Sequence, residues 1–301
     1  MTPTGRPRSI AWMDETAATS SAGATRWKLT LAYDGGGFYG SQRQPGKRSV
    51  QEELERALGI LGGRAVAATL AGRTDRGVHA VGQVACCDDL IPAMPAETIV
   101  RALNAHLADD LAVVAARRVA AGFHARYDAR WREYRYRIWL GPRQPLARES
   151  VWERRAALDI HAMESGARQF LGTHDVASFA GGGEGVPWSE RHDRPRGTVR
   201  TISHCSVRPV APWWGLAAEP GEAIEIRVVA DGFLPRMVRT MVGALVEIGA
   251  GDRTPDWITQ LLLECDRRKG PATAPPHGLI LWRVGYGDEL PDPDPDEITP
   301  R

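Results

Sequence analysis

The chain has 301 residues, 43% of them hydrophobic, which is enough for one large core or two smaller ones. No run approaches the roughly 18 consecutive apolar side chains of a membrane span, and residues 1–26 lack the apolar segment of a secretory signal, so we expect a cytoplasmic protein without membrane association. The formal net charge is only +1, but the charge is unevenly distributed along the chain. Residues 1–26 and 287–301 together hold four basic and eight acidic residues, which leaves 34 basic and 29 acidic residues elsewhere. This excess of basic residues between the two ends favours an anionic partner.

The first half of the chain is predicted to contain elements in the order strand, helix, strand, strand, helix, strand. Alternating apolar residues indicate the strands, and Ser49 with Glu52 three residues later has the spacing of a capping box at the start of a helix. The six elements are predicted at residues 27–33, 49–61, 65–70, 78–87, 96–107 and 111–119.

The second half has the same mixture of elements. The predicted elements are strands at 131–140, 199–207, 223–229 and 279–286, and helices at 159–171, at 234–247 and from Pro255 onward. Two α+β halves of similar composition predict two related domains that meet near residues 125–131. Residues 181–197 are long and polar and predict a mobile loop, and both chain ends are predicted to be disordered.

A glycine pattern after the first strand raises the possibility of nucleotide binding. Gly35, Gly37 and Gly40 match the G-x-G-x-x-G fingerprint of dinucleotide sites. The motif does not open a helix, because Pro45 intervenes, and no acidic residue follows about twenty residues later to bind a ribose. A small-molecule nucleotide enzyme is therefore a weak alternative, which predicts thermal stabilisation by a nucleotide.

The turn Arg73-Thr74-Asp75-Arg76-Gly77 lies between two apolar runs. A solvated turn would explain Asp75 and Gly77, since glycine tolerates a positive φ, but it does not require the arginines. Positive charge beside a carboxylate favours its ionised form, which a nucleophilic carboxylate needs. The turn is therefore a candidate site at the end of a sheet.

Arg239 lies in the predicted helix over residues 234–247, away from its apolar face. A cation near a helix N-terminus opposes the helix dipole. Two interpretations are open: the side chain reaches solvent along the surface, or it is buried and paired with a carboxylate, because an unpaired buried charge is costly.

Tyr134 shares a strand face with Tyr136 and Ile138. The three side chains are explained either as core residues or, for Tyr134, as a ring that stacks on a nucleobase. Arginines crowd the same region, and such a charge run is either a solvated surface or part of an RNA-binding surface. They are Arg117, Arg118, Arg126, Arg130, Arg132, Arg135 and Arg137.

No pattern predicts a metal site. The four cysteines form no C-x-x-C pair and are expected to be reduced thiols. The eight histidines do not fall at ligand spacing with an acidic residue, and no Ser-His-Asp set stands out. His79 and His124 are each explained most simply as structural or hydrogen-bonding residues.

Five segments, in this order, resemble the tRNA pseudouridine synthase A family over about residues 27–287. They are YDGGGFYGSQRQ, AGRTDRGVHAVGQ, FHARYDARWREYRYRI, FLPRMVRTMVGALVEIG and HGLILWRVGY. The resemblance implies an isomerase that converts uridines 38, 39 and 40 of the tRNA anticodon stem-loop to pseudouridine. It also implies a homodimer that needs no metal or cofactor.

The fold implied by the resemblance is α+β, with two RRM-like (ferredoxin-like) domains whose sheets join into one mixed, mostly antiparallel sheet and a catalytic cleft between the domains. We expect a disordered N-terminal tail, a first α+β domain that carries the catalytic aspartate loop, a second α+β domain and a disordered acidic, proline-rich tail. Their predicted boundaries are 1–26, 27–128, 129–287 and 288–301.

The resemblance also implies roles for single residues. Asp75 matches the catalytic aspartate, Arg239 the arginine that pairs with it, and Tyr134 the tyrosine that stacks on the target base. Arg73, Leu279 and His79 are expected to bind the substrate, with Leu279 under the base. The sequence departs from the family pattern at Ser41, where a tryptophan is usual, and at Pro235 and Arg236.

Two further alternatives are open at this point. The chain is either a pseudouridine synthase of the same fold with other RNA targets, or a non-catalytic RNA-binding protein on the same scaffold.

Overall fold

The computed structural model describes residues 25–90, 94–181, 197–212 and 222–290. Most of the predicted tails and residues 182–196 of the predicted mobile loop lie outside the described residues. The strands are β1 (Thr25–Tyr33), β2 (Thr69–Leu70), β3 (His79–Asp88), β4 (Leu111–Ala120), β5 (Trp131–Leu140), β6 (Trp152–Arg154), β7 (Gly172–Asp175), β8 (Val199–Val210), β9 (Glu222–Ala230) and β10 (Leu279–Gly285). The α-helices are α1 (Val50–Gly62), α2 (Ala96–Asn104), α3 (Ile160–Arg168), α4 (Met237–Gly249) and α5 (Trp257–Glu264).

All ten described strands belong to one sheet. Eight of them follow the order β4-β1-β3-β10-β5-β9-β8-β7, while β2 pairs with β3 and β6 pairs with β5. Among the described strands only β3–β10 and β5–β6 are parallel pairs. The predicted α+β class with one mixed, mostly antiparallel sheet is therefore confirmed. The domain boundaries stay a prediction.

The parallel pair β3–β10 joins strands from the two halves of the chain. Ile280 and Leu281 pair with His79 and Ala80 at the start of both strands. Farther along, a Cβ atom on Gly82 would collide with the carbonyl oxygen of Trp282, so β3 and β10 approach closely there only because Gly82 has no side chain. The last strand of the chain thus connects the first strands to β5.

Helix starts follow from capping residues. Ser49 Oγ accepts a hydrogen bond from Glu52 N, and Asp159 accepts one from Ala162 N, so α1 and α3 begin where the sequence predicts. The apolar sides of the helices pack against the sheet and against each other, α2 on β4, α3 on β8 and α3 on α4.

Helix α4 differs from its prediction in start and in burial. It begins at Met237 rather than at residue 234, because Arg236 has a left-handed φ of 59° that an α-helix does not allow. Its buried residues also extend around the helix beyond the predicted apolar face and include Thr240 and Gly243. Such a helix is a central core element rather than a surface one.

Several other bounds differ from the predictions. Helices α2 and α3 each end three residues before the predicted end, and β2 covers only two of the six residues predicted for it. Strands β6 and β7 were not predicted. No described helix is long and apolar enough to cross a membrane.

Candidate active site

A cleft of about 830 Å³ is lined by residues from both halves of the chain. Its walls are residues 68–75, side chains between 126 and 134, residues 231–238, and Leu279 with Leu281 at the start of β10. This volume is within the usual range for a pocket that binds a small molecule or a single nucleotide.

Asp75 lies in a turn that buried hydrogen bonds hold in place. Ser41 Oγ accepts from Thr74 N at 2.8 Å, and Ser41 N donates to Thr74 O at 3.0 Å. The Thr74 hydroxyl lies 2.9 Å from the hydroxyl of Tyr33, whose pKa burial raises to about 12. Gly77 reverses the chain with a φ of 80°. Ser41, one of the departures from the family pattern, therefore supports this turn directly.

Arg239 and Asp75 form an ion pair across the cleft. Arg239 Nη1 donates to Asp75 Oδ2 at 3.1 Å, and Arg239 Nε donates to the carbonyl oxygen of Ala274 at 2.8 Å. The Arg239 side chain is 14% exposed and that of Asp75 is 38% exposed, so the arginine is largely buried while the carboxylate faces the cleft. Of the two interpretations of Arg239, the geometry selects the buried, paired one.

Tyr134 presents its ring to the cleft from the middle of the sheet. The ring is 7% exposed and meets Phe233 edge-on, with 5.0 Å between ring centroids. The Tyr134 hydroxyl has no hydrogen-bond partner among the described residues. Burial, with smaller contributions from nearby Tyr33 and Asp75, raises the pKa of this hydroxyl above its usual range, so it is a neutral donor at physiological pH.

An apolar floor extends beside Tyr134. In the register of β5 and β10, Leu281 is opposite Tyr134 and Leu279 is opposite Tyr136, and both leucines are buried. The structure thus brings together Asp75, Arg239, Tyr134 and Leu279 around one cleft. A flat base bound in this cleft would pack its apolar faces against these side chains, and the attached sugar would lie beside Asp75.

Positive charge dominates the lining. Its cationic residues are Arg73, Arg126, Arg132, Arg200 and Arg236, against two carboxylates, Asp75 and Asp231. Arg73 and Arg236 are exposed, and neither has an ion-pair or hydrogen-bond partner for its guanidinium among the described residues. The cleft therefore attracts a polyanion although the whole chain is nearly neutral.

Arg132 has a structural role in this lining. Its guanidinium donates to the carbonyl oxygens of Ala71 at 3.1 Å and Asp231 at 3.0 Å, which belong to opposite sides of the cleft. The contact fixes the two sides relative to each other. Arg135 and Arg137, from the same predicted run, point to the other face of the sheet and pair with Glu225. These two arginines are therefore neither a solvated run nor part of the cleft.

His79 lies outside the cleft lining. Its Nδ1 accepts a hydrogen bond from Gly35 N at 3.1 Å, and its Nε2 lies 3.1 Å from the carbonyl oxygen of His277. Both ring nitrogens are used by the backbone of the protein. The structure places His79 as a support of the loop after β1, and it does not bring this residue together with Asp75.

Sequence reasoning did not single out several residues of the cleft. Phe233 begins the segment FLPRMVRTMVGALVEIG, in which only Arg239 was assigned a role, and Leu281 follows from Leu279 by strand alternation. Arg200 and Tyr127 carry no local signal, because their position depends on how distant segments pack. In the described part of the chain no group of three His, Cys, Asp or Glu side chains is arranged to hold a metal ion, and all four cysteines are free thiols.

Comparison with known proteins gives consistent matches. A family model described as tRNA pseudouridine synthase matches residues 30–128 and 167–287. A tRNA pseudouridine synthase A of Shouchella clausii is 43% identical over 268 residues, which cover 88% of this chain and 95% of that protein.

Relatives from other bacteria agree. The tRNA pseudouridine synthase A of Solidesulfovibrio magneticus is 42% identical, with 87% of this chain and 91% of the relative covered. That of Neisseria gonorrhoeae is 40% identical, with 87% and 92% covered. The similarity spans nearly the whole length of each relative.

Proposed function

The chain belongs to the tRNA pseudouridine synthase A family and is an enzyme that forms pseudouridine in tRNA, and from this premise we propose that Asp75 is its catalytic carboxylate and that its targets are uridines 38, 39 and 40 of the anticodon stem-loop. The observation that carries the proposal is the ion pair of Asp75 with Arg239 beside Tyr134, which lines the same cleft as Asp75.

The target uridine must leave its stack to reach Asp75, at a cost of roughly a few kcal/mol. In the proposed complex the extruded base lies against the Tyr134 ring, with Leu279 as the apolar surface beneath it. Base stacking on an aromatic ring offsets part of that cost, by about 1–3 kcal/mol per base. Arg73, exposed and without a partner among the described residues, would meet the phosphate of the extruded nucleotide.

The reaction breaks the C1′–N1 bond, turns the uracil and forms a C1′–C5 bond, while the C5 proton is lost and N1 gains one. Breaking the glycosidic bond develops positive charge at the sugar, which a nearby carboxylate stabilises. Asp75 either attacks C1′ or removes the C2′ proton; both routes use its ionised form. Arg239 orients the carboxylate, because its guanidinium is itself fixed by the Ala274 carbonyl oxygen.

The decisive test uses an unmodified tRNA transcript with uridines at 38, 39 and 40, mapped for pseudouridine by a carbodiimide-stop assay. Wild type should convert these uridines, and Asp75→Asn should not, while both bind the transcript. Asp88→Asn is the matched control, because it makes the same change on an exposed carboxylate at the end of β3. Replacing each uridine by cytidine in turn identifies the position that is modified.

The possible results separate the parts of the proposal. Full activity of Asp75→Asn would reject the catalytic assignment. Conversion of other uridines would keep the enzyme class and reject the proposed targets. Arg239→Leu should also lose activity, and a normal rate in that variant would remove Arg239 from the proposed mechanism.

We also propose that the enzyme is a homodimer, as the family resemblance implies. Light scattering on the full chain should then give twice the chain mass of 32.9 kDa. A mass of one chain at micromolar concentration would contradict this part of the proposal.

A further inference from the structure

A second cationic feature lies outside the cleft, on the loop between β1 and α1. The exposed ring of Tyr39 has Lys47 Nζ at 4.6 Å from its centroid and the Arg76 guanidinium carbon at 4.3 Å. Both cations are exposed, and Arg76 directly follows Asp75 in the chain. We call Tyr39, Lys47 and Arg76 the Tyr39 platform.

The two cations of the platform differ from their neighbours in lacking a carboxylate. Arg43 pairs with Glu55, and Arg48 pairs with Asp110 at 2.6 Å. Neither Lys47 nor Arg76 has an ion pair among the described residues. An aromatic ring orients a cation without neutralising it, so the platform presents two uncompensated charges in a defined place.

The platform is also fixed relative to the proposed catalytic carboxylate. Tyr39 N donates to the carbonyl oxygen of Arg48 at 2.9 Å, and Gln44 Nε2 donates to the carbonyl oxygen of Tyr39 at 2.9 Å. Two residues after Tyr39, Ser41 forms two hydrogen bonds with Thr74, the residue before Asp75. Any group held on the platform therefore has a fixed position relative to Asp75.

We propose that the Tyr39 platform binds the phosphate backbone of the substrate tRNA next to the nucleotide that enters the cleft. The inference rests on the proposed function, because it takes Asp75 as the point where the target ribose lies. Charge complementarity identifies the ligand: uncompensated cations on a rigid surface match phosphate oxygens, and phosphate contacts set the register of a nucleic acid on a protein. Lys47 and Arg76 each contribute one such contact.

The test measures the affinity of the full chain for unmodified tRNA as a function of salt concentration. Each phosphate contact contributes about 0.7–0.9 to the slope of log affinity against log salt. Arg76→Gln and Lys47→Gln should each reduce the slope by that amount, which corresponds to binding about fivefold weaker at roughly 0.15 M salt. The double variant should lose about twice as much slope.

Arg101→Gln is the matched control, because it removes an equally exposed arginine from α2, which packs on the edge strand β4. Its salt slope should equal that of wild type. Tyr39→Leu keeps both charges and removes the ring, and it should weaken binding with little change in slope. Equal slopes for the platform variants, the control and wild type would overturn the inference.

Failure of the inference is distinguishable from failure of the proposed function. Pseudouridine formation by wild type and by Asp75→Asn is measured on the same transcript. If wild type converts uridines 38–40 and the platform variants keep the wild-type slope, only the platform is rejected. If the slopes fall as expected but the conversion occurs elsewhere or survives Asp75→Asn, the proposed target or catalytic residue is rejected while the phosphate contacts stand.

Discussion

The two faces of the sheet around β5 carry carboxylates that meet arginines in different ways. On the face away from the cleft, Glu225 is 2% exposed and accepts hydrogen bonds from three arginines, Arg135, Arg137 and Arg208. On the cleft side, Asp75 meets one arginine through Oδ2, and its Oδ1 has no partner among the described residues.

These two environments determine what each carboxylate is able to do. Glu225 is surrounded by donors and closed to solvent, so it is able only to hold strands together. Glu133 is likewise closed to solvent: its Oε1 accepts from both Arg135 and Arg227, while its buried Oε2 has no hydrogen-bond partner among the described residues. Asp75 has one cationic partner and an open side that a substrate can reach, as catalysis by a carboxylate requires.

The largest expected effect comes from exchanging a carboxylate for an amide on each face. Glu225→Gln leaves three arginines around a neutral amide and should lower the free energy of unfolding by about 3–5 kcal/mol. Asp75→Asn breaks a pair that is partly open to water and should lower it by at most about 1 kcal/mol. Urea unfolding of both variants measures the difference, and equal losses would contradict the distinction between the two faces.

A smaller effect is expected from two buried serines of the same loop region. Ser41 Oγ accepts from Thr74 N, and Ser49 Oγ caps α1 by accepting from Glu52 N. Ser41→Ala and Ser49→Ala should each cost about 1 kcal/mol of stability, since each leaves a backbone N–H without its partner. Only Ser41→Ala should also slow pseudouridine formation, by about tenfold for 1.4 kcal/mol of lost orientation.

Single-turnover rates at saturating tRNA check this prediction, with the urea midpoint as the measure of folding. If both variants are slowed equally, the hydroxyl of Ser41 supports the fold in general and not the turn that carries Asp75.

Much of the fold is predictable from the sequence, because the patterns that indicate these strands and helices are local in the chain. Alternation predicts β5 at its observed bounds, and the capping serine fixes the start of α1. Strand β7 was missed because its four residues have no apolar alternation, and they form a strand only through pairing with β8. The start of α4 was misplaced because no local rule predicts a left-handed arginine at position 236.

The residues of the candidate active site were predictable only in part, and from the family resemblance rather than from local patterns. The family resemblance gave three residues that line the cleft, Asp75, Tyr134 and Leu279, and Arg239, which pairs with Asp75. The resemblance could not predict the position of the His79 ring, because that ring contacts the carbonyl oxygen of His277, which pairing of β3 with β10 brings close. Nor could it show that Arg135 is buried, since burial there depends on Trp282, which stacks on the guanidinium at 4.2 Å.

The last prediction separates two tyrosines on one strand face. The Tyr136 hydroxyl donates to the carbonyl oxygen of Pro275 at 2.9 Å, whereas the Tyr134 hydroxyl has no partner among the described residues. Tyr136→Phe should therefore cost about 1 kcal/mol of stability, and Tyr134→Phe should cost almost none. For the rate of pseudouridine formation the order should reverse, because, of these two tyrosines, only Tyr134 lines the cleft, where its hydroxyl would donate to the reacting base or relay a proton. Since both rings keep their packing, a slowed Tyr134→Phe with unchanged tRNA affinity would assign the effect to the hydroxyl, and an unchanged rate would reduce Tyr134 to a stacking surface.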